Sequence, residues 1–154
     1  MINICGRGAV LVLLATAMFT AGPAFAPAAA GSDTPPEISK LQDIELRLVR
    51  LRTNEKEIAL PSGSRITLTF RAGGQISGRS AVNGYGGRYR AMPDSKVDIT
   101  ITMAGQMAGP KELMDLEKQY FDAVPRMKRI LVKPDQAILE GDSTRMEFTF
   151  SGQK

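Results

Sequence analysis

Val97-Asp98-Ile99-Thr100-Ile101-Thr102-Met103 alternates apolar and polar side chains and stops at Ala104-Gly105; Gln106-Met107-Ala108-Gly109-Pro110 follows, and Lys111 to Val124 then carries a different period. Strict alternation is the signature of a strand with one buried face. Beyond the proline, Leu113, Leu116, Tyr120 and Val124 fall at intervals of three, four and four with Phe121 beside them, which is the single apolar stripe of an amphipathic helix. Proline is tolerated at a helix entrance, Glu112 and Asp115 suit the positive end of the helix dipole, and Pro125 closes the run. A clear strand feeding one clear helix predicts an α+β domain.

Working outward, Ile44, Leu46 and Leu48 alternate with Glu45 and Arg47 before Val49 and Leu51 change the phase. That shift predicts a bulge or a strand end, with a short helix over 37–50 as the alternative. Ile66, Leu68 and Phe70, then Ala72-Gly73-Gly74, then Ile76, read as a hairpin. Gly78 to Tyr89 surrounds Tyr85 with glycines and Asn83, a composition that supplies positive φ and predicts a loop. After the helix, Ile130–Val132, Ala137–Leu139 and Met146–Phe150 read as three short strands with turns at Pro134-Asp135 and Gly141-Asp142.

The chain has 154 residues, 43% apolar and 6% aromatic, which is core material for about one domain. Twenty basic against 16 acidic residues give +4, too mild a surplus to single out nucleic acid. There is no His and no Trp, so a Ser-His-Asp triad, a Cys-His dyad and imidazole metal sites are excluded. No Asp-x-Asp-x-Asp calcium loop occurs, and a phosphate-cradling loop would have to lead into a helix rather than a strand. Neither a metal nor a cofactor is expected.

Arg7 precedes an uncharged stretch of 14 residues, Ala9 to Gly22, followed by small residues. This is the layout of a secretory signal over 1–30, too short for a comfortable membrane span. Ala28-Ala29-Ala30 and Ala24-Phe25-Ala26 are both small-x-small sites. Pro27 would follow the second, so cleavage near Ala30 is favoured over Ala26, with an uncleaved anchor as the alternative. The expected product is a periplasmic or envelope protein with a polar leader over 31–37, a domain over 38–154 and no transmembrane span. The only cysteine, Cys5, precedes the apolar stretch, so the mature domain holds together by packing alone.

The order of parts, a hairpin, an Asn-x-aromatic-Gly segment, a strand, a Met-Ala-x-Pro segment and a helix, resembles the META domain family, also called HslJ-like, over roughly 41–151. Val82, Asn83, Tyr85, Gly86 and Gly87 match the first family motif; Met107, Ala108, Gly109 and Pro110 match the second. Val82 and Gly109 stand where the family pattern has cysteines, and Leu46 where many members have tryptophan, which removes any cysteine-based activity. The resemblance implies a strongly curved, barrel-like, mostly antiparallel sheet with one main helix packed on it. It further implies a non-enzymatic bacterial envelope protein linked to stress tolerance or secretion.

Asn83 reads either as a ligand-binding amide or as a turn closing on its own backbone; Tyr85 reads as a recognition ring or as a barrel plug. Arg126, Lys128, Arg129 and Lys133, with Arg79, Arg88 and Arg90 near the glycine run, form a candidate patch for an anionic envelope surface or an acidic protein, unless they are simply a solvated face. Strand 65–70 or 145–150 is the candidate sheet edge for adding a partner's strand. The expected function is a binding or stabilising module. The alternatives are a periplasmic carrier of a small hydrophobic ligand in a barrel-like cavity, and a hydrolase using Asp98 or Glu140 with a tyrosine, Asp142 being the remaining turn carboxylate.

Overall fold

The structure, a computed structural model, describes residues 36–151; the expected export signal, both expected cleavage sites, Cys5 and residues 31–35 of the expected leader lie outside them. A one-turn helix, α1 (Pro36–Ser39), begins inside the segment read as leader and leads to β1 (Glu45–Thr53). Then come β2 (Lys56–Ile58), β3 (Thr67–Arg71), β4 (Gln75–Arg79), β5 (Gly84–Met92) and β6 (Lys96–Ala104). The main helix α2 (Lys111–Ala123) is followed by β7 (Met127–Val132), β8 (Gln136–Gly141) and β9 (Thr144–Phe150).

All strand neighbours are antiparallel, and the order β2-β1-β3-β4-β5-β6-β7-β8-β9 is completed by pairing of β1 with β9. β1 makes this closure possible by dividing one edge: Glu45–Arg47 pair with β3 and Leu51–Thr53 with β2, while its other edge runs along β9. The result is a closed eight-strand antiparallel barrel with one main helix. The phase change read at Val49 is a bulge: the β1–β9 register shifts between Leu48 and Arg50, and Val49 is left 46% exposed. Helix in that region is confined to α1.

Small barrels are filled by their own side chains. Here Leu46, Leu51, Leu68, Phe70, Ile99, Leu139, Met146 and Phe148 are buried inside, with Tyr89 edge-on to Phe70 at 5.0 Å between ring centres. α2 lies over the end that carries the β1–β2, β4–β5 and β8–β9 turns, burying Leu116, Tyr120 and Ala123. At the other end, Ile38 and Leu41 close the core, and Asp43 N–H donates to the Phe70 carbonyl at 2.8 Å.

Two expectations are corrected. The glycine run is not a loop of positive φ: only Ser80–Asn83 separate β4 from β5, and Gly84, Gly86 and Gly87 are strand residues. Close approach explains Gly78 and Gly87, since a Cβ on either would collide with a backbone carbonyl, of Thr67 and of Thr100 respectively. Among the described glycines, positive φ is found instead at Gly63 (87°) and, in the β3–β4 turn, at Gly73 (72°) and Gly74 (71°). Nor is strand 65–70 or 145–150 an edge: β3 pairs with β1 and β4, and β9 with β8 and β1. The weakly joined place is between β6 and β7, where one pair, Lys96 with Arg129, makes the seam.

Candidate functional site

The two family-like segments meet under α2. Asn83, at the end of the β4–β5 loop, donates through Nδ2 to the Met107 carbonyl at 3.1 Å and accepts at Oδ1 from Met107 N–H at 2.8 Å, as a neighbouring strand would. Its second amide proton goes to Glu117 Oε1 at 2.8 Å. Glu117 Oε2 accepts from Asn83 N–H at 2.8 Å, from Val82 N–H at 3.1 Å and from the Ser80 hydroxyl. The Ser80 hydroxyl has one proton and also approaches the Asn83 carbonyl at 2.7 Å; the carboxylate is the stronger acceptor and takes it.

Glu117 is only 6% exposed, so its charge is carried by these four donors. Burial pushes its carboxyl upward, but the hydrogen bonds from Ser80, from the Asn83 side chain and from the Asn83 and Val82 backbone outweigh it and hold the group below its ordinary value. The carboxylate is thereby a fastener. Three donors fill Oε2 and the Asn83 amide engages Oε1, so all four of its hydrogen bonds are spent on the loop it fixes.

Tyr85 faces inward from β5. Its hydroxyl donates to the Thr67 carbonyl at 2.9 Å and shares a 2.6 Å hydrogen bond with Tyr120 of α2, while its ring meets Phe121 edge-on. Burial raises both phenols above their ordinary range. The ring therefore plugs the helix end of the barrel. Val82 lies against Gly109: a Cβ on that glycine would stand 3.6 Å from the Val82 Cβ, so the two positions where the family pattern has cysteines are neighbours in space. Gly86 lies under the Met103 side chain, Gly87 under β6, and Ala108 and Pro110 lead from the clamped Met107 into α2, with Pro110 at its N-cap.

The basic run is divided by the fold. Lys128 is ion-paired with Asp142. Arg129 faces Lys96 across the seam, Arg126 is exposed just before β7, and neither arginine has an ion-pair partner among the described residues. Lys133 sits at the opposite end, beside Lys40. Arg79, Arg88 and Arg90 lie on the outer faces of β4 and β5. Of the three carboxylates weighed for hydrolysis, Glu140 and Asp142 line one groove at the β8–β9 turn, where each is ion-paired, with Arg145 and with Lys128, and Asp98 stands apart from them, exposed opposite Arg90. Ser80 and Glu117 are the residues that the sequence reading missed. The available signal was Glu117 itself, a carboxylate between Leu116 and Tyr120 on the edge of the apolar stripe.

A closed antiparallel barrel capped by one helix, with an Asn-bearing loop locked to a Met-Ala-x-Pro segment, defines the class of domain. The family model for the META domain matches residues 39–153, and the chain belongs to that family. Among solved structures it is similar to an NMR structure of a protein from Burkholderia xenovorans, at 26% identity and a TM-score of 0.65, over 86% of this chain and 98% of that one. A DUF4847 family protein from Bacteroides vulgatus ATCC 8482 shares the fold at 14% identity and a TM-score of 0.57, over 75% of this chain and 98% of that one. Among curated proteins, none matches.

Proposed function

We propose that this META-family chain is a non-enzymatic, exported envelope module that holds or recruits another protein in stress tolerance or secretion. The observation that carries the reading is where apolar surface is left uncovered. Of the exposed large apolar side chains, Met103 (69%), Met107 (62%) and Met114 (36%) all lie in the segment that leaves β6 and enters α2. That segment is fixed by the Asn83–Glu117 clamp. Flexible, polarisable thioethers on a rigid rim suit contact with a protein surface. The four donors that hold Glu117 to its loop and the ion pairs that engage Glu140 and Asp142 support the non-enzymatic part. The secretory-type N-terminus supports export. Arg126 and Arg129, without an ion-pair partner among the described residues, favour a partner, or an adjoining envelope surface, of negative charge. The packed barrel interior gives less support to the alternative, a carrier with its ligand on the barrel axis.

The test is crosslinking in the envelope of the native host, comparing wild type with a Met107→Glu, Met114→Glu variant. Both side chains are exposed, so the variant should retain its circular dichroism and lose at least tenfold of the crosslinked partner. Equal capture by a folded variant would overturn the assignment of the rim.

A further inference from the structure

The barrel end opposite α2 carries a groove of about 670 Å³, lined by Lys40, Leu41, Ile44, Val132, Lys133, Pro134, Phe150 and Ser151. Its volume lies within the roughly 300–1,000 Å³ of small-molecule sites. Its chemistry is divided. Leu41, Ile44, Val132, Pro134 and Phe150 supply the apolar walls, and Lys40 and Lys133 supply two exposed ammonium groups. No acidic side chain lines it, and neither lysine has an ion-pair partner among the described residues. The acidic residues next to the lining in the chain, Asp43, Glu45 and Asp135, do not join it, and Asp43 is ion-paired with Arg71.

Two unneutralised cations beside an apolar trough are complementary to a molecule with the opposite division, an anionic head on a hydrocarbon tail. We propose that this groove binds a free single-chain amphiphile with a carboxylate or similar anionic head, the tail along Ile44, Val132 and Phe150 and the head between Lys40 and Lys133. This places an apolar ligand outside the filled barrel and away from the methionine rim, so it stands independently of the protein-binding reading. Lys133 then takes a specific role, apart from Arg126 and Arg129 with which the sequence grouped it.

The experiment is a titration of the purified chain with dodecanoate, followed by amide chemical shifts. Dodecyl maltoside supplies the same tail on a neutral head, acetate the head alone, and anionic phospholipid vesicles a membrane source of the same charge. The expected result is saturable shifts confined to residues 40–45, 132–135 and 150–151, at least tenfold weaker for the maltoside and absent with acetate. A Lys40→Glu, Lys133→Glu variant should keep the wild-type spectrum elsewhere and bind dodecanoate at least tenfold more weakly. Shifts lying in the barrel interior, binding unchanged by the lysine reversal, binding to vesicles alone, or no shift at millimolar dodecanoate would each overturn the proposal.

Discussion

At the scale of single residues, Asn83 and Glu117 show why particular chemistry is needed where the fold is fastened. An aspartate at 83 could accept from Met107 N–H but could not donate to Met107 O or to Glu117, and it would set two carboxylates together in a buried place. Glu117→Ala removes the acceptor of four donors: the Val82 N–H and one Asn83 amide proton are stranded, while the Ser80 hydroxyl is left with the Asn83 carbonyl and the Asn83 N–H with Ser80 Oγ. Unsatisfied buried donors are costly, so the loss should be about 3 kcal/mol or more, read from urea unfolding midpoints. The same carboxylate fixes the pH dependence. Because its folded value is depressed, its contribution is fully present above the ordinary carboxylate value of about 4.3 and disappears as pH falls through the lower folded value. Wild type should therefore lose stability more steeply than Glu117→Gln as the pH falls below the ordinary carboxylate value of about 4.3. Parallel curves for the two proteins would show that the charge does no fastening.

At the scale of elements, the contact of Val82 with Gly109 makes the relation between the β4–β5 loop and the entrance to α2 testable. Disulfides need Cβ atoms about 3.5–4.5 Å apart, and the 3.6 Å separation here lies within that range. A Val82→Cys, Gly109→Cys protein should oxidise to a single intramolecular disulfide and gain about 3 kcal/mol over its own reduced form, measured as a shift in unfolding midpoint with and without reductant. The β5–β6 hairpin brings the two together: its register sets Tyr85 opposite Ala104, and Gly84, Asn83 and Val82 then continue it against Gly105, Met107 and Gly109; the sequence reading, which took the glycine run as a loop, did not place that hairpin. Regular elements were more accessible. Period two revealed β6, the phase change at Val49 revealed the bulge, and the spacing of Leu116 and Tyr120 gave the buried side of α2. β5 was misread because its glycines, placed there for close packing at Gly87 and beside Met103 at Gly86, have the composition of a loop. β2, three residues with two charges, has too short a pattern to read.

At the scale of the whole barrel, the ends are well closed and the weak place is lateral. β5 and β6 pair from Tyr85–Ala104 to Met92–Lys96, whereas β6 and β7 meet through Lys96 and Arg129, joined beside it by the Ile130 N–H to Ser95 carbonyl bond at 2.8 Å. The connection that carries α2 leaves β6 and returns to β7, so the chain spends its longest excursion where pairing is thinnest. Like charges directly opposite each other on antiparallel strands are destabilising, and neither cation here has an ion-pair partner among the described residues. Lys96→Glu replaces repulsion with attraction to Arg129, partly offset by Asp98 two residues along the same face. The net gain should be about 0.5 kcal/mol, seen as a rise of about 2–3 °C in Tm at low ionic strength. Salt gives the sharper test. It screens repulsion in the wild type and attraction in the variant, so the two Tm values should converge near 1 M salt. A gap that persists at high salt would place the effect in packing or strand propensity; a variant less stable at low salt would mean that Asp98, not Arg129, dominates the field at the seam.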